Sequence, residues 1–297
     1  MSRFPGIYVA TVTPFTVSYE VDFKRLKEHV DWLIQEGVDG IIPTGSLGEY
    51  ATLTSEERAQ VITATIDAAA GRVPVVIGGA APSTKQVVEL IQLSKEKGAE
   101  GVMALPPINY KPTEDEVVAH YEAVSNAGLP VIVYNNPYDY PVDLTPRILQ
   151  KLSKFENIVA AKEFSGDVRR VYDILRETDL EVMIGVDDLA LEGALAGATG
   201  WIAGFANAFP RESIKVFNMT RTGSVDEALE LYRYLLPLFH FDANPRLVQA
   251  IKYVMDLVGQ PAGPSRPPRL PLPEEDRLAV QEAYKYAVNR PIRIVQE

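Results

Sequence analysis

The sequence predicts an α/β protein, a (β/α)8 TIM barrel with a C-terminal helical appendage. Three observations predict it. Eight short apolar runs alternate with helical patterns at intervals of roughly 25–30 residues. The runs are almost continuously apolar, as parallel strands covered on both faces are. The first run ends in Thr11-Val12-Thr13-Pro14-Phe15. It lacks the Gly-x-Gly-x-x-Gly turn of an open doubly wound sheet. Strict alternation means α/β, and eight units close a barrel.

Each element has its own signal. Ile7 to Val12 reads as a strand that stops at Thr13-Pro14. Asp22 to Gln35 is helical, with Leu26, Val30, Leu33 and Ile34 on one face and Gly37 beyond its end. Gly40 to Pro43 is the second strand. Thr54, with Glu57 three residues on, opens the next helix as a cap. Val73 to Ile77 is the third strand, closed by Gly78-Gly79, and Ser83 to Lys97 is a helix ending at Gly98. Gly101 to Leu105 is the fourth strand and Thr113 to Asn126 its helix. Pro130 to Tyr134 is the fifth, followed by a helix over Thr145 to Ser153. Asn157 to Ala161 is the sixth strand, with Lys162 at its end and a helix over Asp167 to Glu177. Glu181 to Gly185 is the seventh, with a helix over Leu189 to Ala196, and Gly200 to Gly204 the eighth. From about Arg211 the chain reads as helical again, notably Val225 to His240, Pro245 to Leu257 and Glu274 to Val288. A Pro/Gly-rich connector, Gly259 to Pro264 and then Pro267-Pro268, separates the last two. The expected division is a barrel over 1–222 and a helical extension packed on it over 223–297.

Composition narrows the function. The chain has 297 residues, 46% of them hydrophobic, enough for a large core. Its net charge of −11 comes without a basic block, so neither nucleic acid nor an anionic membrane is an expected partner. There is no cysteine, hence no disulfide, thiolate nucleophile or cysteine-bound metal. His29, His120 and His240 lie far apart, without metal-ligand spacing, and no metal site is expected. No basic-plus-apolar leader opens the chain, and no apolar run approaches about 18 residues. A cytoplasmic protein is the expectation.

In a barrel the active site lies at the C-terminal ends of the strands. Three places are selected. Lys162 follows an apolar strand, where desolvation favours the neutral amine, and a neutral amine is a nucleophile toward carbonyls. The bland alternative is a lysine whose head reaches out to water. Thr44-Gly45-Ser46-Leu47-Gly48-Glu49 follows the second strand, and its backbone N–H groups suit a carboxylate or phosphate, unless it is a plain turn. It is not a Walker motif. Tyr134, at the end of the fifth strand, either relays protons or packs.

Gly45-Ser46-Leu47-Gly48-Glu49, the Tyr134-Asn135-Asn136-Pro137 turn and Lys162-Glu163 together resemble the dihydrodipicolinate synthase/N-acetylneuraminate lyase family. The Gly185-Val186-Asp187-Asp188 turn and the Gln260 to Pro264 connector resemble it too, and the likeness runs from about Gly6 to Leu272. The resemblance implies a barrel with three C-terminal helices, assembled as a homotetramer. It implies that Lys162 forms a Schiff base with a 2-oxo acid such as pyruvate, with no further cofactor. It implies that Tyr134 shuttles protons. Ser46 and Leu47 would bind the 2-oxo acid carboxylate, and Thr44, Asp139, Asp187 and Ala203 would complete the substrate site.

Three departures from the synthase pattern bear on the substrate. The synthase has two threonines where Ser46 and Leu47 stand here, so one hydroxyl is gone. The slot of a tyrosine that the synthase contributes across its subunit interface holds Asn109, with Tyr110 one residue late. The hydroxyl relay is therefore expected to be broken. The synthase has an arginine, for the carboxylate of aspartate semialdehyde, where this chain has Asp139. That exchange turns attraction into repulsion. The main expectation is thus a lyase acting on pyruvate or a 2-oxo acid derived from it. Its reaction is aldol cleavage or condensation, dehydration or deamination. The substrate is a 2-keto-3-deoxy sugar acid or a hydroxylated pyrroline carboxylate, held by Asp139, Asp187 and Asp188. For the last two the alternative is helix capping after the seventh strand. Two alternatives for the whole protein stay open: dihydrodipicolinate synthase proper, and a sensor that binds a 2-oxo acid without turnover.

Overall fold

A computed structural model describes residues 2–289. Eight parallel strands, β1 (Gly6–Ala10), β2 (Gly40–Ile42), β3 (Val76–Gly79), β4 (Gly101–Ala104), β5 (Val131–Asn135), β6 (Ile158–Glu163), β7 (Glu181–Ile184) and β8 (Gly200–Ala203), lie side by side in the order 2-1-8-7-6-5-4-3. The two ends of that order meet: Ile41 bridges Val75, and the Gly78 N–H donates to Pro43 O at 2.9 Å. The barrel is closed, as the sequence predicted.

Between the strands run α1 (Phe23–Gln35), α2 (Ser55–Ala69), α3 (Thr84–Glu96), α4 (Glu114–Asn126), α5 (Pro146–Leu152), α6 (Arg169–Glu177) and α7 (Ala190–Leu195). The start of α2 follows the expected chemistry. Thr54 Oγ1 accepts from the Glu57 N–H at 3.1 Å, and the Glu57 carboxylate accepts from the Thr54 N–H at 2.9 Å. After β8 come α8 (Pro210–Thr222), α9 (Val225–Phe239), α10 (Leu247–Leu257) and α11 (Glu274–Val288). No described helix is long and apolar enough to cross a membrane.

Among the boundaries that differ from the sequence reading, two bear on the site. The third strand was expected over Val73 to Ile77 but runs through Gly78 and Gly79, which pair with Met103 and Ala104. Glycine stands there because neighbouring chain approaches closely: a Cβ on Gly78 would stand 2.2 Å from Thr44 O. The sixth strand was expected to stop at Ala161, yet Lys162 and Glu163 stay in register with Met183 and Ile184. Lys162 is thereby held by backbone on both sides, opposite Tyr134 on β5 and Met183 on β7.

The C-terminal helices lie on the barrel mouth. Phe239 of α9 meets Trp201 of β8 edge-on, ring centroids 5.7 Å apart, and Tyr232 donates to Asp187 O at 2.9 Å. Lys252 of α10 is buried. Its Nζ donates to Thr13 O at 2.9 Å and pairs with Glu49 Oε1 at 2.8 Å. The helical extension therefore clamps the glycine loop that follows β2.

Candidate active site

The loop from Thr44 to Glu49 leaves β2 with Thr44 and Glu49 both in the left-handed region, φ 56° each. That conformation is costly for non-glycine residues, on the order of 1–3 kcal/mol each, and persists only where surroundings enforce it. Here Glu49 is fully buried. Lys252 holds one carboxylate oxygen, and the Arg266 N–H donates to the other at 3.0 Å. The clamp fixes Ser46 and Leu47 at the mouth of the barrel.

Lys162 enters that mouth from β6 and is 6% exposed. Its Nζ stands 4.2 Å from the centroid of the Tyr134 ring and 5.6 Å from that of Phe164. Gly185 makes room for its stem: a Cβ there would lie 2.7 Å from Lys162 Cε. Burial lowers the ammonium pKa to about 8, while the carboxylates of Asp242, Asp187 and Asp139 pull it back upward. A tenth or so of the lysine is then neutral at pH 7, against roughly three parts in ten thousand for an unperturbed side chain.

Tyr134 is buried, and burial raises its phenol above the ordinary range. Its hydroxyl accepts from Asn136 Nδ2 at 3.2 Å, and the same amide donates to Asp139 Oδ2 at 2.9 Å. Ser46 Oγ is 2.7 Å from the Tyr140 hydroxyl, and the Tyr140 ring meets Tyr134 edge-on at 6.1 Å. The sequence led us to expect a broken hydroxyl line. Tyr140, from the loop after β5 of the same chain, gives Ser46 a phenol partner. Asn109 instead donates to Pro82 O, outside the cavity.

Of the residues predicted from sequence, Ser46, Leu47, Tyr134, Asp139 and Lys162 line one cavity at the C-terminal ends of the strands. Thr44, Asp187 and Ala203 do not line it. Thr44 is fully buried, its hydroxyl without a hydrogen-bond partner, and Ala203 is buried within β8. Asp187 is also fully buried. Its carboxylate accepts from Trp201 Nε1 at 2.9 Å and from the Phe205 N–H at 2.7 Å. Against the capping alternative, the side chain makes no cap on the helical turn after β7 and instead binds Trp201 and the backbone after β8. Burial raises its pKa to about 6, against the pull of those donors and of Lys162. Asp188 is paired with His240, Oδ2 to Nδ1 at 2.9 Å.

Sequence reasoning missed one acidic group. Asp242, between α9 and α10, lines the cavity with Lys162 and is 4% exposed. No local motif marks it. Larger grooves exist, such as one of about 500 Å³ lined by Phe23 and Ala59, but that one carries no buried lysine. Among the described residues no group of three or more His, Cys, Asp or Glu is placed to hold a metal ion.

Fold and site together define a barrel enzyme built around a desolvated lysine at the end of its sixth strand. The comparisons place it further. The model of the dihydrodipicolinate synthetase family matches residues 3–287. The 4-hydroxy-tetrahydrodipicolinate synthase of Methanospirillum hungatei is 34% identical over 279 residues, 91% of this chain and 94% of that protein. The synthase of Methanocaldococcus jannaschii is 32% identical over 287 residues, 95% of this chain and 98% of that one. Among solved structures, dihydrodipicolinate synthase DapA-2 of Bacillus anthracis superposes with a TM-score of 0.92 at 30% identity, covering 98% of this chain and all of that one. The chloride-inhibited synthase of Acinetobacter baumannii, complexed with pyruvate, gives 0.90 at 33% identity, covering 96% of this chain and 99% of that one. The chain belongs to the dihydrodipicolinate synthetase family. It is a lyase of the class I aldolase type, a chemistry run through a lysine Schiff base.

Proposed function

We propose that Lys162 is the Schiff-base lysine and that it activates pyruvate, or a 2-oxo acid derived from it. One observation carries the reading: the buried Lys162 amine, with its pKa lowered to about 8, lies in the same cavity as Ser46 and Tyr134. The neutral amine attacks the C2 ketone, and loss of water leaves an iminium. That cation withdraws electrons from C3 and stabilises the carbanion as an enamine. Ser46 and the Leu47 backbone hold the carboxylate, and Tyr134 passes protons at the reacting carbons.

For the second substrate the relatives' names support the synthase reaction, in which pyruvate condenses with aspartate semialdehyde. They weigh more than the sugar-acid reading made from sequence. One residue supports that second reading. Asp139 lines the cavity and, among the described residues, no arginine does, so a carboxylate-bearing aldehyde meets a like charge. A substrate carrying hydroxyls or an amine meets an acceptor. A panel of pyruvate with aspartate semialdehyde, 2-keto-3-deoxy sugar acids and hydroxylated pyrroline carboxylates decides between them. Efficient consumption of the semialdehyde selects the synthase; pyruvate or semialdehyde release from the others selects the second reading. We extend the proposal to a homotetramer working in the cytoplasm, with sedimentation of the purified protein as the measure of assembly.

The lysine itself is tested by borohydride reduction with pyruvate. A pyruvyl mass on the Lys162 peptide, absent from Lys162→Ala, is expected. Wild-type protein that gives no adduct with any 2-oxo acid overturns the assignment.

A further inference from the structure

The iminium step needs a place for the ammonium proton of Lys162, and the buried site offers one. Asp242 reaches the cavity from the turn between α9 and α10. Its Oδ2 accepts the Asp187 N–H at 2.9 Å. Its Oδ1 lies against Gly204, where a Cβ would stand 2.8 Å away, so β8 is followed by a residue that leaves the carboxyl room. We propose that Asp242 is the proton carrier of Lys162: it takes the ammonium proton, returns it to the departing hydroxyl, and then faces the iminium as a carboxylate. The inference rests on the reading of Lys162 as the Schiff-base lysine.

The electrostatics support it. Burial, then the charge of Asp187, raises the Asp242 carboxyl well above its ordinary range, and burial lowers Lys162. The same desolvation thus penalises the charged form of both groups and brings the neutral forms closer to the charged ones in energy. The other groups facing Asp242 are Asp187 and Asp188 after β7 and Tyr134 on β5. Asp139 also acts on Lys162, and His240, two residues before Asp242, is turned to Asp188. Tyr134 is a poorer store, because burial makes its phenolate costly; it passes protons but does not keep a charge.

The step balances. One proton moves from Nζ to Asp242. The nitrogen lone pair forms the bond to C2 while the carbonyl π pair goes to oxygen. A second nitrogen proton reaches that oxygen through Tyr134, giving the neutral carbinolamine. Asp242 then protonates the hydroxyl, the C–O bond breaks with the nitrogen pair moving in, and water leaves. The three ammonium hydrogens end as one on the iminium and two in the water.

The test is the rate of pyruvate adduct formation under borohydride at saturating pyruvate, followed against pH. Asp242→Asn still accepts the Asp187 N–H. It removes a negative charge that raises the lysine pKa, so a purely electrostatic or structural Asp242 predicts equal or faster trapping. A proton carrier predicts a loss of at least about 100-fold at pH 7 that shrinks as pH rises and the lysine sheds its proton to water. Asp242→Glu is expected to recover most of the rate. If Asp242→Asn does not fold, Gly204→Ala, which pushes the carboxyl aside, is expected to slow trapping with the same pH trend. Trapping at or above the wild-type rate at pH 7 in whichever variant folds overturns the inference. It leaves the lysine assignment intact, since that one fails only if wild-type adduct is absent or lies off Lys162.

Discussion

Gly185→Ala asks whether the position of the lysine, and not only its presence, sets reactivity. A Cβ at residue 185 would meet Lys162 Cε at 2.7 Å, Phe164 Cδ2 at 3.0 Å and Glu163 O at 3.1 Å, where ordinary contacts begin near 3.4 Å. The carbonyl cannot retreat easily, because it accepts the Gly185 N–H at 2.9 Å. The lysine stem must therefore yield by about 0.7 Å. Overpacking of this size costs about 1–3 kcal/mol and lowers the melting temperature by about 2–6 °C. Misplacing a reacting atom by about 1 Å costs about 100-fold, so trapping of pyruvate is expected to fall by about 10–50-fold. Single-turnover borohydride trapping at saturating pyruvate measures the rate, and a thermal melt measures the packing cost. A lowered melting temperature with trapping at the wild-type rate would refute the reasoning, since the crowding would then be present and the amine indifferent to it.

Further outcomes follow from the same geometry. Ser46→Ala is expected to weaken 2-oxo acid binding by about 0.5–1.5 kcal/mol, read as the concentration giving half-maximal trapping. Lys252→Met leaves the Glu49 carboxylate buried without its lysine and is expected to lose about 3–5 kcal/mol in denaturant unfolding, with weaker pyruvate binding as the loop loosens. For Lys162 the folded pKa, about 8, lies below the unfolded value of 10.5. The penalty on its charge is fully present below pH 8 and is relieved as pH rises toward 10.5, so this group makes stability climb by about 3 kcal/mol across that window. Lys162→Met is expected to be more stable than wild type at pH 7 and to lose that advantage by about pH 10.5; a difference that stays flat with pH contradicts the desolvation account.

Much of this was legible in the sequence because barrel strands carry their chemistry at their ends. Lys162, Tyr134 and Ser46 each stand where an apolar run stops, and the fold brings them to one cavity. What was not legible depends on contacts far apart in the chain. Gly78-Gly79 reads locally as a stop, and only its pairing with Met103 and Ala104, under the Thr44 backbone, makes it strand. Asp187 reads as an acid after a strand, but its direction is set by Trp201 and the Phe205 amide. Asn109 reads as a missing tyrosine, while nothing local marks Tyr140, one residue after Asp139, as the partner of Ser46. Asp242 sits in His240-Phe241-Asp242-Ala243 with nothing to distinguish it. Its place in the cavity is visible only once Phe239 is seen docked on Trp201.

That docking bears on how the chain is divided. If it is cut at residue 222, as the sequence suggests, the barrel keeps Lys162 and Tyr134 but loses groups that act at its mouth, Lys252 and Asp242 among them. Without Lys252 the Glu49 carboxylate, 1% exposed, has no lysine, and the left-handed Thr44 and Glu49 lose part of what enforces them. Without Asp242 the Asp187 N–H loses its partner and Lys162 loses a carboxylate that holds its pKa up. Both effects act on the same cavity, one on the loop proposed to bind the carboxylate and one on the proposed nucleophile. The helical extension is therefore part of the site in the energetic sense. A barrel with no such extension must find another counter-charge for its buried lysine and another clamp for its glycine loop.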